Sequence, residues 1–214
     1  MRRTILAIAT LAIVAPLGAQ QQQGKKDAAA TSLPAGWISR FDKAGGTAKF
    51  VTMGPGFHVT SGDAAVYYSA KDSASGEYTV TAKFSQSKPS GHEGYGFFIG
   101  GSSLQDPTQS YLYFLVRPAD GFYMISHRAG ADVHKVVEWA ATPATVKQDA
   151  SGNAANALSV HVTRDSVLFS ANGKGVKSFS RAELRFPTAG QAGLRINHFL
   201  DVHVAEFSVK HGAK

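Results

Sequence analysis

The feature that most constrains this chain is a succession of short segments in which apolar and polar residues alternate, each closed by Gly, Ser, Asn, Asp or Pro. A period of two is the mark of a strand with one buried face. Eleven such runs can be read: Phe57 to Val59, Ala64 to Tyr68, Tyr78 to Phe84, Tyr95 to Ile99, Tyr111 to Arg117, Phe122 to Arg128, Val133 to Trp139, Leu158 to Thr163, Val167 to Ala171, Leu194 to Asn197 and Val202 to Val209. Beyond the N-terminus no stretch keeps apolar residues at helical spacing over three turns; only Ser180 to Leu184 suits a short helix or turn. Asn172-Gly173 lies between two apolar runs, and this pair tolerates the positive φ of a tight hairpin; Pro118-Ala119-Asp120-Gly121 has the same place between Val116 and Phe122. No repeat of fixed period occurs, which argues against a propeller or solenoid. Eleven antiparallel strands exceed the roughly seven of an immunoglobulin domain and predict one larger all-β domain, a two-sheet antiparallel sandwich or jelly roll.

The N-terminus has a different texture. Met1-Arg2-Arg3 is followed by a ten-residue apolar run, Ile5 to Val14, which breaks at Pro16 and Gly18. A membrane span needs about 20 apolar residues, so this run predicts a secretory signal peptide over residues 1–19, cut after Ala19. Residues 20–35, opening with four glutamines and continuing through Lys25-Lys26-Asp27 into Ala28-Ala29-Ala30, lack large apolar side chains and predict a disordered linker. The jelly-roll domain is expected over residues 36–210, with 211–214 as a tail. The chain has no cysteine, which removes disulfides, thiolate metal sites, cysteine nucleophiles and a lipidated N-terminus. The expected location is therefore periplasmic or extracellular, with no membrane span after cleavage. Loss of residues 1–19 leaves 20 basic against 15 acidic residues, scattered singly, a pattern that points to no nucleic-acid partner.

The C-terminal half carries Asn156-Ala157-Leu158-Ser159-Val160, Val167-Leu168-Phe169-Ser170-Ala171-Asn172-Gly173, Ala192-Gly193-Leu194-Arg195-Ile196-Asn197 and Val202-His203-Val204-Ala205-Glu206-Phe207-Ser208-Val209. In this order the segments resemble the closing strands of concanavalin A-like jelly rolls, the lectin/glucanase and laminin-G-like group, including 3-keto-disaccharide hydrolase domains. Gly94 to Gly101, Tyr111 to Val116 and Gly121 to Ile125 resemble the middle strands of the same fold. The resemblance implies a carbohydrate-related function, either binding or sugar hydrolysis. Two motifs depart from it: the alternating acids of the glucanase group, Glu-x-Asp-x-x-Glu, are absent, and Gly91-His92-Glu93-Gly94 stands where the hydrolase group has an Asn-Ser-Gly turn.

Glycoside hydrolysis usually needs two carboxyl groups about 5 to 10 Å apart, and no two acids share a strand face here. Most acids fall in turns, among them Asp63, Asp72, Glu77, Asp106, Asp120, Asp149 and Asp165. Glu93, beside His92, is the one acid placed before an aromatic strand where a base could face a cleft; a hydrolase would need it together with His92 or His127. Gly-x-Ser-x-Gly and the phosphate-binding Gly-x-x-x-x-Gly-Lys are both missing. His198, Asp201 and His203 form the densest set of possible metal ligands, but their spacing matches no metal motif. No catalytic residue, metal or cofactor is expected, with calcium on turn aspartates left open. His161 and His203 each alternate with valines and are expected to point away from the core.

The functional pattern that remains is aromatic and planar-polar. Period two places Tyr111, Tyr113 and Arg117 on one strand face and Leu112, Phe114 and Val116 on the other, the core side. With His127, Arg195 and Asn197 from neighbouring runs, these residues predict one sheet face able to stack tyrosine on a sugar ring and hydrogen-bond its hydroxyls. Trp139 suits either a platform or a core plug. The expected partner is a glycan or glycoconjugate and the expected role non-catalytic binding. The alternatives are a sugar hydrolase, or an envelope protein-interaction module in which Tyr111, Tyr113 and Arg117 are covered by the chain itself.

Overall fold

The computed structural model describes residues 33–54 and 56–212. The expected signal peptide and most of the expected linker lie outside them. The described chain forms strands β1 (Trp37–Phe41), β2 (Ala48–Met53), β3 (Gly56–Ser61), β4 (Ala65–Ala74), β5 (Tyr78–Ser87), β6 (Tyr95–Ser102), β7 (Ser110–Arg117), β8 (Phe122–Ala129), β9 (Asp132–Ala141), β10 (Asn153–Val162), β11 (Ser166–Ala171), β12 (Lys174–Ser180), β13 (Gly190–Ile196) and β14 (Asp201–His211), with one short helix, α1 (Arg181–Leu184). All neighbours pair antiparallel in two seven-stranded sheets. The first has the order β1-β4-β13-β6-β7-β8-β9 and the second β12-β11-β10-β5-β14-β3-β2. No described helix is long and apolar enough to cross a membrane.

Each of the eleven runs read from the alternation is a strand. The three strands not read, β1, β2 and β12, all stand at sheet edges. An edge strand has a neighbour on one side only, so its sequence needs fewer apolar residues, as in Lys174-Gly175-Val176-Lys177-Ser178-Phe179-Ser180. The sheets are glued by inward residues from both: Tyr67, Phe97, Phe114 and Leu194 from the first meet Phe84, Leu158, Phe169 and Val202 from the second in one continuous core. Each such aromatic or leucine contributes about 1.5–3 kcal/mol through burial.

The turn chemistry read from the sequence is present. Asn172 and Gly173 both have positive φ, 52° and 74°, and close β11 onto β12. Ser180 caps α1 in a capping box, its hydroxyl accepting from the Glu183 amide. Asn156, the first residue of the Asn-x-Leu-x-Val segment, proves to be a buried junction. Its Nδ2 donates to Tyr95 Oη (3.2 Å) and to the Val146 carbonyl (3.1 Å). Its Oδ1 accepts from the Val146 amide and from Asn172 Nδ2, each at 2.8 Å. One amide thus ties β10, the turn before β12 and the loop after β9 to the core tyrosine of β6.

Candidate functional site on the concave sheet

The outer face of the first sheet is built from cross-strand rows. Gly193 of β13 faces Tyr68 of β4 on one side and Phe98 of β6 on the other, and Phe98 in turn faces Tyr113 of β7 and then Ser126 of β8. The adjacent row runs Arg40, Val66, Arg195, Gly96, Leu115 and Met124. Gly193 has to be glycine: a Cβ there would lie 2.3 Å from the Tyr67 carbonyl oxygen and 2.6 Å from the Phe98 ring. This explains Gly193-Leu194-Arg195 in physical terms, with a gap for Phe98, a core residue, and a cation on the outer face.

Curvature follows from one contact. Arg128, on β8, comes within 3.8 Å of Asp42, the residue that follows β1. Four strands intervene, so a flat sheet would hold β1 and β8 about 24 Å apart. An arginine and an aspartate cannot span that distance, so the sheet curls and this face is concave.

Asp42 is the hub of the trough. Arg195 grips it with both terminal nitrogens, Nη1 donating to Oδ1 (2.7 Å) and Nη2 to Oδ2 (2.6 Å), a bidentate pair. Arg195 also donates toward Tyr111 Oη at 3.4 Å and places its guanidinium 5.5 Å from the centre of the Tyr113 ring. Burial pushes the Asp42 carboxyl up, but the Arg195 bonds and charge, with Arg128 and His198 nearby, outweigh it and hold it below the usual carboxylate range. Burial likewise opposes the Arg195 charge, and the surrounding Tyr111, Asp42 and Tyr113 hold it protonated. The Asp42 side chain remains 23% exposed and that of Arg128 15%, so both can be reached from solvent.

The expected site residues fare differently. Tyr111, Tyr113 and Arg195 come together on this face, as alternation predicts, but Tyr111 is only 1% exposed, Tyr113 7% and Arg195 6%. They pack with Val66, Tyr68, Phe98, Leu104 and Leu115, and with Trp139 and Met124 at the edge, as a second apolar cluster outside the main core. Arg117 shares the face but is held by Asp120, Nε donating to Oδ1 at 3.0 Å and Nη2 to Oδ2 at 2.6 Å, while its guanidinium stacks 4.3 Å over Trp139. Asn197 lies at the same end of the trough; its carbonyl accepts from Ser61 Oγ and its side-chain Oδ1 is buried without a partner.

His127 does not belong to this face. Arg117 pairs with Phe122 across the four-residue turn Pro118–Gly121, so odd residues of β7 oppose even residues of β8. Tyr113 therefore faces Ser126, and His127 faces Leu112 on the sandwich side. There its ring stacks on Phe186 at 4.2 Å and its Nε2 shares a hydrogen bond with Ser110 Oγ. Combining Tyr111 with His127 needed the register between strands, which one strand's alternation does not carry.

The other candidates also separate. Glu93 meets His198 (3.6 Å), not His92 or His127; His92, largely exposed, lies 3.8 Å from Asp120. The pairing that a hydrolase was expected to need is not formed. His198 is likewise parted from Asp201 and His203. Asp201 bonds His58 and Lys88 on the outer face of the second sheet, and His203 stacks on His58. His161 is also on that outer face, its Nδ1 sharing a hydrogen bond with Thr79. Among the described residues no group of three or more His, Asp and Glu is placed to hold a metal ion.

Sequence reasoning missed Asp42, Arg40 and Arg128. Their signal was present: Trp37, Ser39 and Phe41 alternate with Ile38, Arg40 and Asp42, and Arg128 follows Ser126 on one face. It also missed Phe199, which is 81% exposed with a positive φ of 53° in the loop between β13 and β14. Beside the aromatic cluster, a cleft of about 310 Å³ is lined by Tyr68, Ala70, Ser102, Leu104, Gln105 and Gln191, among others.

No family profile matches this sequence, and no curated protein matches it. Solved structures do. A carbohydrate-binding module, CBM66 from Bacillus subtilis, superposes with a TM-score of 0.59 at 12% identity, covering 82% of this chain and 95% of that one. The metal-free carbohydrate recognition domain of Emp46p gives 0.57 at 10% identity, over 84% and 89%. A glycoside hydrolase family 16 endo-glucanase from Bacteroides ovatus gives 0.57 at 10%, over 81% and 94%. With its two seven-stranded antiparallel sheets and curved face, this chain has the concanavalin A-like jelly-roll fold.

Proposed function

We propose that the protein is an exported, non-catalytic carbohydrate-binding module that takes a glycan on the concave face of its first sheet. The observation that carries this reading is the cluster of Asp42, Arg195 and Arg128, with Arg195 set against the Tyr113 ring and the Tyr111 hydroxyl. A sugar offers vicinal hydroxyls, which a carboxylate accepts from and guanidiniums donate to. The partners are held in place by a buried bidentate pair, so little ordering is left for the ligand to drive. The likeness to a carbohydrate-binding module and a carbohydrate recognition domain agrees with it.

A second reading, an envelope protein-interaction module, draws on the burial of Tyr111 and Tyr113, which are packed by the chain's own side chains. Binding of residues 20–214 to a glycan array, with and without calcium, separates the two. Specific glycans that are lost with Arg128→Ala support the concave-face reading; binding that survives this change moves the ligand elsewhere; no glycan binding at all favours the interaction module.

A further inference from the structure

We infer that the glycan taken by the concave face is acidic, carrying a carboxylate or sulfate group. This rests on the binding reading above and narrows it by charge. Three arginines, Arg40, Arg128 and Arg195, stand on the trough face, and the guanidiniums of two of them, Arg195 and Arg128, lie against one carboxylate, Asp42. Each oxygen of Asp42 accepts from Arg195, and Arg128 lies within 3.8 Å. Arg128 anchors only its Nε, to the Gly130 carbonyl at 2.7 Å. Arg40 stands in the same row as Arg195, with Val66 between them, and its Nε is buried without a hydrogen-bond partner. The Nε of Arg195 is also buried and unpartnered in a residue only 6% exposed. A buried donor left unpaired is costly, and Asp42 supplies one negative charge against the two arginines that contact it and the third in the same row. The other arginine of this face, Arg117, is neutralised by its own turn aspartate, Asp120, so the excess is confined to the middle of the trough.

A neutral sugar would satisfy hydrogen bonds there and leave the charge excess in place. A uronate carboxylate or a sulfate ester would satisfy both, with the bidentate geometry that guanidiniums favour. The two anions share one chemistry, an oxyanion fixed to a sugar ring, and matched ligands tell them apart.

The test titrates residues 20–214 calorimetrically with matched oligosaccharides: oligogalacturonate against its methyl ester, sulfated against desulfated galactan, and neutral glucan and galactan oligosaccharides. The expected result is that at least one acidic member binds about ten- to a hundredfold more tightly than its neutral partner. Its advantage should shrink on raising salt from 50 to 200 mM, and Arg40→Gln and Arg128→Gln should each reduce it, with thermal unfolding used to confirm that both variants fold. A preference for the uronate pair or the sulfated pair names the anion. Equal binding of acidic and neutral members overturns the acidic assignment while leaving glycan binding intact. No binding to any of the oligosaccharides counts against both. The wild-type comparison needs no variant, so a misfolded variant does not rescue the inference.

Discussion

Replacing Asp42 by alanine tests the energetic centre of the trough. The change removes both acceptors of the Arg195 pair, at 2.7 and 2.6 Å, and leaves a guanidinium in a residue that is 6% exposed with no counter-charge. Breaking one partner of a buried ion pair costs about 3–5 kcal/mol. Because the Asp42 side chain is 23% exposed, water can enter the space it leaves, and the lower end, about 3 kcal/mol, applies. For a domain of this size that corresponds to a fall in Tm of about 6–12 °C. Urea unfolding at pH 7 reads the loss directly. The Asp42→Leu, Arg195→Met double variant, which removes both charges, should recover much of it. The folded Asp42 carboxyl is held below its ordinary range. Its contribution is therefore full above the unfolded value of about 4 and fades as the pH falls through the lower folded value. The gap between wild type and Asp42→Ala should narrow in acid. A loss within about 0.5 kcal/mol at pH 7, the range of an ordinary surface change, would refute the reading of this pair as the energetic centre of the trough.

Asn156→Ala, which opens the buried junction to Tyr95, Val146 and Asn172, should cost about 2–4 kcal/mol in chemical denaturation; a loss below 1 kcal/mol would mean the network is dispensable. Phe199→Gly should leave stability unchanged or raise it by up to about 1 kcal/mol, since Phe199 packs little and holds a left-handed φ; a large loss would show that the exposed ring is structural. Burial, with His134 beside His127 and His58 beside His203, pushes both imidazoles below the ordinary histidine value. Their neutral forms are favoured by folding, so stability should drop as pH falls below about 6.5 and level off beneath the folded values. A His127→Gln, His203→Gln double variant should flatten that slope in thermal melts between pH 7 and 5, and an unchanged slope would assign it to other groups.

How much of this was legible before any coordinates differs by element. Within a strand, alternation is a property of the backbone itself, because successive side chains point to opposite faces. That is why Leu112, Phe114 and Val116 could be assigned to the core and Tyr111 and Tyr113 to the other face from seven consecutive letters. Turn residues are equally local, and Asn172-Gly173 declares its hairpin by the φ it tolerates. The edge strands β1, β2 and β12 were harder to see, since one free edge relaxes the apolar demand that makes a central strand visible. Their loss had a functional consequence, because β1 carries Arg40 and leads into Asp42.

What tertiary structure alone decided is which faces coincide and how deep they lie. His127 parted from Tyr113 because pairing across the turn after β7 opposes odd to even residues. Arg195 and Asp42 are 153 positions apart in sequence and meet only because β1, β4 and β13 stand side by side. Arg128 reaches the same carboxylate only because the sheet curls. Local alternation was enough for strands with an aromatic face and a core face. Convergence of non-neighbouring strands on one acid is a product of strand order and curvature, and these arise from packing two twisted sheets around a shared core, which no local pattern encodes.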